Sequence, residues 1–114
     1  MTVLQGEGYE VGYDAASGNV RISGVLRLGG MEEYLPMAQV LEQAIGEHSS
    51  VTLDLTGLEF LNSSGIATLS KFVISARNHP GCGVTIHGSS AVPWQGKSLN
   101  NLKRLMPGLT LSID

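Results

Sequence analysis

Between residues 51 and 113 the apolar residues switch repeatedly between a period of two and a helical period, and this constrains the fold more than any other feature of the chain. Val51, Leu53 and Leu55 alternate with Thr52, Asp54 and Thr56, as in a short strand. After Gly57-Leu58-Glu59-Phe60-Leu61 and the polar step Asn62-Ser63-Ser64-Gly65, residues Ile66, Leu69, Val73 and Ala76 recur three or four apart. That spacing predicts a helix beginning just past the serines and stopped by Asn78-His79-Pro80-Gly81. Val84-Thr85-Ile86-His87 reads as strand, Leu99, Leu102 and Met106 as helix, and Leu109, Leu111 and Ile113 as a terminal strand. Strands separated by helices are joined by crossovers, so they lie parallel.

The first half reads differently. Tyr9-Glu10-Val11-Gly12-Tyr13-Asp14 and Val20-Arg21-Ile22-Ser23-Gly24-Val25-Leu26 alternate around the turn Ala15-Ala16-Ser17-Gly18-Asn19, which predicts a β-hairpin. Tyr34, Leu35, Ala38, Leu41 and Ile45 then follow helical spacing, with Pro36 in the first turn, where its missing N–H is not needed. This helix is placed from near Tyr34 to near Gly46. Residues 1–8 read as a flexible lead-in and 9–114 as the domain. The expected fold is a single α/β domain with a mixed, mostly parallel sheet, in the order β-β-α-β-α-β-α-β.

Composition excludes several functions. With 114 residues, 42% of them hydrophobic and only 15% charged, the chain can bury one core and does not read as disordered. Seven basic against ten acidic residues give a net charge of -3, the wrong sign for general nucleic-acid binding. Cys82 is the only cysteine, so no intrachain disulfide is expected. The spacing of His79, Cys82 and His87 fits no zinc pattern, and neither metal nor cofactor is expected. The start of the chain has no basic region followed by an apolar stretch, and no apolar run is long enough to span a bilayer. A soluble, cytoplasmic domain is therefore expected.

The most informative stretch is Asn62-Ser63-Ser64-Gly65, which follows a strand and opens a helix. The first amides of a helix lack intrahelical partners and carry partial positive charge. A serine there can cap them, with Gly65 allowing a sharp turn. A phosphate on Ser63 or Ser64 would instead add about two negative charges, tolerated by the helix end but not by a partner packed on it. Gly96-Lys97-Ser98 is no Walker loop, because Ala91 stands where that loop needs glycine. An enzyme would need a base beside the serines, and His87 is the candidate if its strand lies next to them.

The run Val51-Thr52-Leu53-Asp54-Leu55-Thr56-Gly57-Leu58-Glu59-Phe60-Leu61-Asn62-Ser63-Ser64-Gly65-Ile66-Ala67 resembles the central segment of the STAS domain family, named for sulfate transporters and anti-sigma factor antagonists. Ile22-Ser23-Gly24-Val25-Leu26 is similar to the family's second strand. The resemblance implies a bacterial, non-enzymatic partner-switching regulator of transcription. Its partners would be an anti-sigma factor that is also a serine protein kinase and a metal-dependent serine/threonine phosphatase. It implies Ser64 as the phosphate acceptor, with Ser63 as second choice, and a docking surface of Asn62, Ser63, Ser64, Gly65 and Arg27. Two positions depart from the pattern, Asn62 and Arg27 each replacing an aspartate. Arg27 is suited to pairing with a phosphate. A STAS scaffold or sensor without phosphorylation, in a signalling or lipid-transport assembly, is the alternative.

Overall fold

The computed structural model describes residues 2–114. The chain forms β1 (Thr2–Gly6), β2 (Tyr9–Asp14), β3 (Asn19–Leu26), α1 (Leu35–Glu47), β4 (Ser50–Asp54), β5 (Leu58–Leu61), α2 (Ser63–Arg77), β6 (Gly83–Gly88), α3 (Gln95–Leu105) and β7 (Thr110–Ile113). One mixed sheet runs β1-β2-β3-β4-β6-β7, with β5 on β3. The first three strands are antiparallel, and every later pairing is parallel, as the switching period predicts.

Alternation along the strands gives the sheet two unlike faces. Val11, Tyr13, Val20, Ile22, Val51, Leu53, Val84 and Ile86 are buried, and the helices contribute Leu41, Ile45, Leu69, Val73 and Leu99 to the same core. The intervening residues line an open polar face with a groove of about 690 Å³.

Two elements correct the sequence reading. Residues 2–6 are not a lead-in: Thr2–Gly6 pairs antiparallel with Tyr9–Tyr13 as an edge strand. The turn between them uses Gly8 at φ +82°, and Gly8 O accepts from Val25 N at 2.8 Å. Leu58–Leu61 is also a strand, giving two more strands than expected. β3 pairs with β4 through Asn19–Arg21 and with β5 through Gly24–Leu26, the register shifting between Gly24 and Val25. Gly24 has φ +95°, and an added Cβ would run into the backbone of Gly8 and Tyr9. Gly24→Ala is therefore expected to cost about 1–3 kcal/mol, read as a lower urea midpoint at unchanged slope.

The helices agree with the spacing: α1 begins one residue after Tyr34 and ends one residue after Gly46. At its far end, buried Tyr13 donates its hydroxyl to Glu47 Oε1, and His48 Nε2 lies 3.1 Å from the Tyr13 hydroxyl oxygen. Burial, then the bond to Glu47, pushes the Tyr13 pKa up to about 12. The unfolded chain loses this proton near pH 10 and the folded one near 12, so Tyr13's contribution to stability is complete below pH 10 and disappears as pH rises towards 12. Denaturation midpoints between pH 9 and 12 are expected to fall, and the fall to be shallower in Tyr13→Phe.

Candidate functional site

The site begins where β5 ends. Asn62 has extended backbone and caps α2, its Oδ1 accepting from Gly65 N at 3.1 Å. The same oxygen accepts from the Tyr34 hydroxyl at 2.6 Å, and Nδ2 donates to Leu28 O at 2.8 Å. The backbone is engaged too: Asn62 N donates to Leu26 O, and Asn62 O accepts from Ile66 N. One residue therefore ties together the end of β3, the residue before α1, and the start of α2.

This geometry corrects the sequence reading of the cap and of Gly65. The cap is Asn62, not a serine. An aspartate could accept the bonds to Oδ1 but could not donate to Leu28 O. Gly65 is helical and serves close approach rather than a turn: an added Cβ would overlap Leu61 and come within 2.9 Å of the Tyr34 hydroxyl oxygen. Tyr34 is buried, and that burial raises its pKa.

Because Asn62 supplies the cap, both serines keep their hydroxyls free. Ser63 and Ser64 are the first two residues of α2, Ser63 exposed and Ser64 half-buried. Among the described residues neither hydroxyl has a hydrogen-bond partner within the chain, while Ser64 O accepts from Thr68 Oγ1 at 2.9 Å. Arg27 lies just past β3, beside the pair Leu26 and Leu61. Its guanidinium sits 4.9 Å from the centroid of the Phe60 ring, within cation–π range. Phe60 is 39% exposed and Leu35, in the first turn of α1, is 52% exposed. Sequence reasoning singled out neither as a surface residue. Phe60 belongs to a strand that was not assigned, and Leu35 counts towards the apolar spacing of its helix although it points outward.

The other candidates lie elsewhere. His87 is on the open sheet face, in one register row with Arg21 and Asp54, and neither serine lines that groove. Burial there opposes ionisation of Asp54, but hydrogen bonds from the Thr56 hydroxyl and backbone, with Arg21 and His87 nearby, hold its carboxyl below the usual range. His79 and Cys82 line a shallow cleft with Glu47 and His48, apart from His87. Among the described residues no three His, Cys, Asp or Glu side chains are grouped to hold a metal. Trp94 packs inward and donates its indole N–H to Glu59 O at 3.1 Å. No helix among the described residues is long and apolar enough to cross a membrane.

No family model matches the chain, and no curated protein matches it in sequence. Its likeness is to solved structures. A chain of the complex of diguanylate cyclase SiaD with its activator SiaC from Pseudomonas aeruginosa superposes with a TM-score of 0.75 at 13% identity, over 99% of this chain and 98% of that one. Apo-SiaC from the same organism gives 0.74 at 14%, over 100% and 99%. An anti-sigma factor antagonist from Mycobacterium paratuberculosis gives 0.62 at 18%, over 97% and 84%. The fold is STAS-like. At these identities the likeness is one of fold.

Within this STAS-like fold, Asn62 is the residue whose loss is most legible. Asn62→Ala leaves the Tyr34 hydroxyl, Leu28 O and Gly65 N without their partner, and is expected to cost about 2 kcal/mol or more. Asn62→Asp keeps the bonds to Oδ1 but loses the donated bond and sets a carboxylate oxygen against Leu28 O, and is expected to cost less than Asn62→Ala, about 1 kcal/mol. Chemical denaturation of the two variants beside the parent checks the order.

Proposed function

We propose that this chain is a non-enzymatic regulatory binding module of the anti-sigma factor antagonist kind. In this reading it docks a serine-kinase anti-sigma factor through the start of α2 and is switched by phosphorylation of Ser64. The observation that carries the proposal is the unpartnered, half-buried Ser64 hydroxyl at the second position of a helix whose cap is already filled by Asn62. A phosphate there would add about two negative charges without displacing any bond that holds the helix. The free amides and partial positive charge of the helix end favour an anion locally. A docked partner would have to desolvate that anion, so the fold survives while the complex does not. A metal-dependent phosphatase would reverse the change. Ser63, more exposed and one residue earlier, is the second acceptor. The fold shared with an anti-sigma factor antagonist supports the reading.

A second reading is a regulator that binds its partner without phosphorylation. It is favoured by the fold shared with SiaC, described as the activator of a diguanylate cyclase.

The test uses a kinase-type anti-sigma factor from the same organism with magnesium-ATP, read by intact mass. One added phosphate on the parent and none on Ser64→Ala is expected. Ser64→Asp is expected to weaken binding at least about tenfold while the thermal midpoint shifts by no more than about 2 °C. Absence of phosphate at both serines, with binding retained, favours the second reading.

A further inference from the structure

Beside the serines, α1 and α2 leave an apolar groove of about 290 Å³ walled by Met31, Leu35, Ala38, Thr68 and Phe72. It begins one helical turn from Ser64, since Thr68 Oγ1 lies 2.9 Å from Ser64 O and 3.4 Å from Met31 Sδ. Glu42, which also lines it, accepts from the Ser75 hydroxyl of α2 at 2.8 Å. Leu35, the most exposed large apolar side chain in the described chain, forms one lip. Two acidic residues, Glu32 and Glu42, stand on the rim against one basic residue, Lys71.

We infer that this groove receives a single large apolar side chain from an amphipathic helix of the partner protein, with basic residues flanking it to meet Glu32 and Glu42. The lining and the rim charges decide between kinds of occupant. Apolar walls with two carboxylates against one ammonium on the rim suit an apolar anchor with basic flanks. Met31 at the mouth gives the lining a flexible, polarisable member that adapts to its occupant. Helix-in-groove docking reads such anchors from one face of a helix, and the surplus of carboxylates sets the sign of the flanks. The inference deepens the proposed docking at Ser64 and rests on that reading for the partner being a protein.

Two synthetic amphipathic helical peptides test it. They share one leucine stripe and differ in lysine or glutamate flanks. Each is titrated into the full chain with methyl and amide NMR detection. The lysine-flanked peptide is expected to shift Met31, Leu35, Ala38 and Phe72 first and to bind at least about tenfold more tightly than the glutamate-flanked one. Leu35→Asp is expected to lower that affinity at least about tenfold, and Glu42→Lys to reduce the preference for lysine flanks. Both positions are exposed, and unchanged amide spectra elsewhere certify the fold of each variant. Equal binding of the two peptides, shifts confined to the open sheet face, or full affinity in Leu35→Asp each overturns the inference. The kinase experiment stays separate. Phosphate on Ser64 with full kinase binding by Leu35→Asp removes the groove alone; peptide binding in the groove with no phosphate removes the switch alone.

Discussion

The start of α2 depends on one carboxamide. Asn62 accepts from a helix amide and a tyrosine hydroxyl on one atom and donates to a carbonyl with the other. Burying the Tyr34 hydroxyl is acceptable only because it finds a partner here, and Leu61 comes close under Gly65 because that residue has no Cβ. An acid in this position would repel the Leu28 carbonyl, and a serine would be too short to reach three elements at once. Asparagine thus satisfies all three partners, and it leaves the two serines that follow free of capping duty.

A second amide does comparable work on the other side of β5. Gln95 is fully buried at the start of α3, with Oε1 accepting from Ser89 N at 2.7 Å and Nε2 donating to Leu55 O and Leu58 O. It fastens the corner between β4 and β5, where the backbone leaves one parallel partner of β3 and becomes another. Among the described residues no buried side-chain nitrogen or oxygen lacks a partner. The start of α2 and the corner before β5 are therefore both held by fully partnered amide side chains.

Much of this was legible in the residues. The three helices follow from helical spacing and from the Gly and Pro that stop it, and the hairpin follows from strict alternation. β5 was not legible for a physical reason. Leu58 and Leu61 are both buried although three apart, because the register shift opposite Gly24 and Val25 leaves Glu59 unpaired and breaks the period of two. β1 was hidden because Val3 is exposed and only Leu4 packs against the core, so no alternation marks it. At the site, Asn62, Ser63, Ser64 and Gly65 could be found from their order along the chain. Leu28 and Tyr34 could not, since what makes them part of the site is a contact across 34 and 28 positions of sequence.

The two ends of α1 are moored by different chemistry. Near its start the anchor is an uncharged carboxamide, which gains and loses no proton anywhere in the range a cell or a tube can reach. At its finish the anchor is the Glu47 carboxylate, held below its ordinary pKa by the Tyr13 hydroxyl. Acid therefore acts on these two moorings unequally: as pH drops through the depressed Glu47 value, that one slackens, while the carboxamide beside the serines keeps its bonds. The bonds that hold the start of α2 are in this sense insulated from acid.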